Sequence, residues 1–284
     1  MLSSCRDDFM MHNIKTMGPK TAKLVAALYD EGKTIFSVED AAKILGDPKA
    51  IVSNLLGKAQ ARGVVTRLRR GTYILVPSVM GSEMLYAGDP LLVADRLMEN
   101  RPHYLSHGTA MAVHNMTTQP RIVITVSCVD PPARSIVAQG AEIRVTSIPQ
   151  IEFFGTKQHW VDSGVSVTVS DIERTVVDCL RRPDLCGGYM EIDRGSWMKR
   201  DDIDVDRLVD YAVRLSVGAV CARLGYLLDS CSMGTDVHRE ELQRHLRTTY
   251  NLLDPSMPAE GRYMARWKLR LNVGQDEIEA TRSS

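Results

Sequence analysis

This sequence predicts a mixed α/β (α+β) protein of two domains, on three observations. Its 284 residues, 44% of them hydrophobic, suffice for two buried cores. Helical apolar periods and short alternating apolar runs both occur along it. The charge is divided although it sums to zero: residues 17–77 hold ten Lys/Arg against five Asp/Glu, and residues 78–284 hold 23 against 28. A basic head on an acidic body is the asymmetry expected when one part meets a polyanion.

The elements of the head follow in order. Leu24, Ala27 and Leu28, with Pro19 near the start and Gly32 past the end, predict a first helix of about three turns. Ser37 followed by Asp40 reads as an N-cap with a nearby acid. Ala41, Ala42, Ile44 and Leu45 form the inner face of that second helix, which Gly46 stops. Asp47 is expected to cap a third helix with Pro48 in its first turn, and Ile51, Val52, Leu55, Leu56 and Ala59 form one apolar stripe. Gly63 ends it, and VVTRLRRGTYILV reads as two strands around Gly71, with Val65, Leu68, Tyr73 and Leu75 as apolar positions.

Three helices and a hairpin are the order of a winged helix-turn-helix domain, placed at residues 1–80. In that arrangement the outer face of the third helix enters the major groove and the hairpin follows the phosphates. Clustered arginines repel one another in water, and a row of phosphates relieves that repulsion while releasing counterions. Ser53 and Asn54 are short polar groups able to address base edges. Lys49, Lys58, Arg67, Arg69 and Arg70 are expected to hold phosphates, and Tyr73 joins the DNA-facing set from the hairpin. A head of this shape can also dock protein, and the arginine cluster favours DNA.

VPSVMGSEMLYAGDP, residues 76–90, mixes Pro, Gly and Ser with little periodicity and marks the junction to a domain at residues 81–284. PLLVADRLMEN and SHGTAMAVHNM predict helices, the second starting near Ser106. RIVITVS, AEIRVTSI, IEFFGTK and VSVTVS predict strands. From Asp171 the pattern turns helical through DIERTVVDCL, DVDRLVDYAVRLS and GAVCARLGYLLDS.

The motifs YLSHGTAMAVHNMTTQ, RIVITV, VSDIERTVVDCLRRPDLCGG and RLGYLLDS, in that order, resemble those of the AbiEi family of antitoxins. The resemblance runs from about Lys20 to Leu252, with its most specific part around Glu173, Arg174, Asp178, Pro183 and Gly187–Gly188. It implies a winged-helix transcriptional regulator that binds inverted repeats in its own promoter. It also implies a C-terminal domain that counteracts an AbiEii-type nucleotidyltransferase toxin, as in type IV systems, where antagonism needs no stable complex. No catalytic residue and no cofactor follow from it. The sequence departs from the family in a longer polar leader, residues 1–16, and in the final LNVGQDEIEATRSS, which reads as a loosely ordered tail.

Other residues invite chemistry and have simpler readings. Arg174 and Asp178 sit four apart and are expected to pair within a structural network. Asp202, Asp204 and Asp206 imitate a calcium loop, but its sixth position is Arg207 and its twelfth is Val213, so a helix cap is expected. His103 and His107 straddle a helix start, and no metal is expected. Asp130 with Glu142-x-Arg144 resembles a nuclease core in which an untunable guanidinium replaces lysine. Six scattered cysteines without C-x-x-C are read as reduced and mostly buried, and no signal peptide or membrane span is legible, so the expected location is cytoplasmic. The alternative to an antitoxin is a winged-helix regulator whose body binds protein or a small ligand.

Overall fold

Pro19 opens the first helix, α1 (Pro19–Asp30), in a computed structural model that describes residues 17–76, 89–98, 101–117, 123–130, 134–138, 141–162 and 165–282. The chain divides into two compact units, Met1–Asp89 and Pro90–Ser284. The leader, Cys5 and the boundary expected at residues 80/81 lie outside the described residues.

Leu24 and Leu28 of α1 are buried, and Gly32 at φ 63° closes the helix with Lys33 donating to the Leu28 carbonyl. A short strand, β1 (Ile35–Ser37), follows; three residues were too few to give a periodic signal. Ser37 and Asp40 then form a reciprocal capping box on α2 (Val38–Leu45), and Gly46 ends it in the left-handed region. The expected cap at Asp47 does not form: α3 (Lys49–Ala61) starts after Pro48, and the Asp47 carboxylate takes Lys20 at 2.6 Å. Val52, Leu56 and Ala59 face the core, whereas Ile51, expected in that stripe, is 52% exposed. β2 (Val65–Arg69) and β3 (Thr72–Leu75) form the hairpin, and β3 also pairs with β1, giving the order β1-β3-β2. The register shifts between Arg67 and Arg69, and Gly71 at φ 81° permits the turn.

The second unit opens with α4 (Pro90–Leu97), β4 (His103–Leu105) and α5 (His107–Val113), the last preceded by Ser106 as expected. β5 (Val123–Val129), β6 (Arg134–Ala138), β7 (Ala141–Ile148), β8 (Thr156–Asp162) and β9 (Val165–Ser170) complete a mixed sheet of order β6-β7-β5-β4-β9-β8. The run IEFFGTK, expected as a strand, instead makes a single 3-10 turn at Gln150–Glu152. The chain becomes extended only from Thr156, because Gly155 at φ 66° turns it there.

The helical part holds α6 (Ile172–Arg181), α7 (Tyr189–Met198), α8 (Val205–Leu215), α9 (Gly218–Ser230) and α10 (Asp236–Arg244). A small sheet of β10 (Asn251–Leu252), β11 (Arg262–Met264) and β12 (Leu269–Leu271) follows, in the order β10-β12-β11. Its Trp267 is fully buried against Gly225 of α9, where a Cβ would stand 2.2 Å from the indole. The expected loose tail is a helix, α11 (Gln275–Arg282): Ile278 is buried, and Arg282 reaches the buried Asp193 of α7 at 2.7 Å. Among the described residues no helix is long and apolar enough to cross a membrane.

Candidate nucleic-acid interface

The first turn of α2 presents Ser37, Val38 and Glu39 to one side of a groove of about 960 Å³. Helix α3 supplies its floor through Lys49, Ser53, Gly57 and Gln60, which recur at helical spacing. The hairpin supplies the far wall through Arg67, Arg70, Gly71, Thr72 and Tyr73. The turn between α2 and α3, Gly46 to Pro48, is short enough to fix the two helices against each other.

Five of the eight residues expected to face DNA meet here: Lys49, Ser53, Arg67, Arg70 and Tyr73. Asn54 and Lys58 are exposed on α3 beside the outward-facing Ile51, outside the groove lining. Arg69 ends β2 opposite Thr72. Tyr73 is the buried one among them: its ring stacks on Phe36 with centroids 6.1 Å apart and packs with the core, so it braces the wall instead of projecting from it. Glu39, Gly57, Gln60 and Thr72 were not expected from the sequence. Gln60 was findable, seven positions after Ser53 on the same helical face. Glu39 was not, because only the fold brings it to Lys49, ten residues further along the chain.

Lysines of the head are partly neutralised. Lys20 pairs with Asp47 at 2.6 Å, Lys33 with Asp40 at 2.9 Å and Lys49 with Glu39 at 2.5 Å. The Lys49 hydrogen bond, then the backbone, hold the Glu39 carboxyl below its ordinary value. Burial pushes the Asp40 carboxyl up, but hydrogen bonds from the Ser37 hydroxyl and amide and from Lys33 outweigh it and hold the group low. Arg70 is exposed and has no carboxylate partner among the described residues. Arg70 therefore brings uncompensated positive charge to the hairpin side of the groove.

In the second unit the charged clusters singled out in the sequence are tied into hydrogen bonds and ion pairs. Arg174 Nε donates to Asp178 Oδ1 at 3.0 Å and Nη2 donates to the Tyr104 hydroxyl at 2.9 Å; that hydroxyl donates to Asp178 Oδ2 at 3.0 Å. The guanidinium also lies 4.2 Å from the Phe154 ring centre. Glu173 accepts from the Asp204 amide and pairs with Arg207, while Asp204 caps α8. His103 bonds Asp95, and His107 is buried on Ser106, with burial pulling its imidazole down to about 4. Val123 pairs with Glu142, and Asp130 follows the far end of β5 at Val129, about 20 Å along the strand at the usual rise. The nuclease pattern does not converge. Cys128, Cys179, Cys186, Cys221 and Cys231 are buried and take part in no disulfide among the described residues. Among the described residues no three His, Cys, Asp or Glu are grouped to hold a metal ion.

The class these elements define is a mixed α/β protein. No family model and no curated protein matches the chain. Its fold is similar to the crystal structure of the RV2827C protein from Mycobacterium tuberculosis, at 16% identity over 91% of this chain and 93% of that one, with a TM-score of 0.65. At that identity the likeness bears on the fold alone.

Proposed function

We propose that the first unit is a winged helix-turn-helix reader of duplex DNA, and that the chain is an AbiEi-type antitoxin that represses its own operon and counteracts an AbiEii-type nucleotidyltransferase toxin. The observation that carries the DNA reading is the groove in which an exposed helical face meets the arginine-bearing hairpin. A major groove accepts a helix, and a flanking cationic ribbon gains by displacing counterions from the adjacent phosphates. The antitoxin part rests on the ordered body motifs, and it acts on the toxin without any catalytic group of its own.

The test is a gel-shift titration against the DNA upstream of the gene. Arg69→Ala with Arg70→Ala is expected to weaken binding to all duplexes and to flatten the dependence of log K on log salt by about 0.9 for each phosphate no longer held. Asn54→Ala is expected to reduce discrimination between operator and unrelated duplex by about 1–3 kcal/mol for a bidentate base pairing. Unchanged titrations for both would remove the head as the reader. Co-expression with the neighbouring reading frame, scored for growth rescue, tests the antitoxin role; a lone gene or absent rescue favours a regulator whose body binds protein or a small ligand.

A further inference from the structure

The small sheet β10-β12-β11 has two unlike faces. Leu269 and Leu271 of β12 are buried, so the alternate residue, Arg270, points outward and pairs in register with Tyr263 of β11. Tyr250 lies just before β10, whose Leu252 is in register with Arg270, and Lys268, at φ 52°, lies just before β12; their ring and cation contacts bring both beside Tyr263. The two tyrosines remain 41% and 62% exposed and meet edge to face, with ring centres 5.0 Å apart and planes at 78°. Lys268 Nζ lies 5.4 Å from the Tyr250 centroid, and the Arg270 guanidinium 5.2 Å from that of Tyr263.

Charge singles out the same place. Residues 244–272 hold six Lys/Arg against Asp254 and Glu260, whereas the rest of residues 78–284 holds 17 against 26. Asp254 is buried and taken up by the Tyr189 and Ser256 amides, while Arg244 pairs with Glu241 and Arg266 with Asp229, which leaves Arg247, Arg262, Lys268 and Arg270 against the exposed Glu260.

We propose that this face is a second nucleic-acid site, independent of the head, that binds unpaired nucleotides: bases stack on Tyr250 and Tyr263 while Lys268 and Arg270 hold the phosphates between them. An acidic protein surface would use the cations without calling for two exposed rings beside them, and a duplex keeps its bases hidden. Because the rings stand nearly perpendicular, one continuous base stack cannot cover both. The strand that fits turns there with its bases splayed.

The experiment uses the full chain carrying Arg67→Ala, Arg69→Ala and Arg70→Ala, which removes the hairpin cations, and follows fluorescence anisotropy of labelled RNA and DNA single strands of about 12 nucleotides and of the matching duplex. Single strands are expected to bind more tightly than duplex, and as tightly to this variant as to the unaltered chain. Adding Tyr250→Ala or Tyr263→Ala is expected to weaken single-strand binding by about 5- to 150-fold for each ring. Tyr→Phe at both positions is expected to restore it to within about twofold, since the stacking face is kept. Lys268→Glu with Arg270→Glu is expected to abolish binding, and it decides the matter if the alanine variants melt early. The proposal is overturned by duplex preference, by phenylalanine variants as weak as alanine ones, by single-strand binding that vanishes with the hairpin cations, or by a surface that takes polyglutamate and no single strand.

Discussion

Glu39→Gln offers the sharpest probe of the groove. Lys49 Nζ stands 2.5 Å from Glu39 Oε1 at an exposed site, so its charge is locally balanced before any ligand arrives. The same carboxylate lies in a groove with Arg67 and Arg70, where it would repel a phosphate. Glutamine keeps the size of the side chain and an acceptor for Lys49 but removes the charge. If the groove takes the DNA backbone, Lys49 becomes available for about one further phosphate, and the slope of log K against log salt steepens by about 0.9. Between about 50 and 200 mM salt that adds a further loss of about 3.5-fold, on top of tighter binding at the low end. Fluorescence anisotropy with duplex from upstream of the gene, repeated at four or more salt concentrations, reads both quantities. In a Lys49→Ala background the steepening is expected to vanish. An unchanged slope with unchanged affinity, or weaker binding at low salt, would refute the assignment of this groove to a polyanion.

Three further outcomes concern stability. Asp178→Ala strands the buried Arg174 charge and is expected to cost about 3–5 kcal/mol in urea unfolding, with Asp178→Asn costing less; a cost under about 1 kcal/mol would mean the pair is not ionised as a unit. Gly225→Ala drives a methyl into Trp267 and is expected to destabilise by about 1–3 kcal/mol or more, while Gly57→Ala, whose Cβ meets nothing within 4 Å, is expected to stabilise by about 0.5–1 kcal/mol. Thermal melts of opposite sign check that pair, and shifts of the same sign would contradict the packing described. Asp40 is held below its ordinary value of 3.8, so its contribution is fully present above that pH and is lost as pH falls through the lower folded value. The stability gap between the wild-type chain and Asp40→Asn is therefore expected to be constant near neutrality and to shrink below about pH 4; a gap that persists in acid would exclude ionised Asp40 as its source.

Some of these features were written locally. Ser37 with Asp40, Pro19 and Gly32, and Gly46 after Leu45 mark helix ends because capping depends on residues three or four apart, which the sequence displays directly. The Arg174–Asp178 pair is of the same kind, one turn apart on a single helix. Ile51 misled because its spacing suits the stripe, while the rotation that exposes it is set by what α3 packs against.

The sequence by itself determined the order of the head's helices, the hairpin, the helical second half and the segregation of charge, since each follows from short-range periodicity or from counting. Only the tertiary structure decided that Glu39 neutralises Lys49, that Tyr73 braces a core, that the tail folds as α11 onto Asp193, and that Tyr250 meets Tyr263. Those pairings join residues whose separation along the chain bears no relation to their separation in space, and only packing of whole elements brings them together.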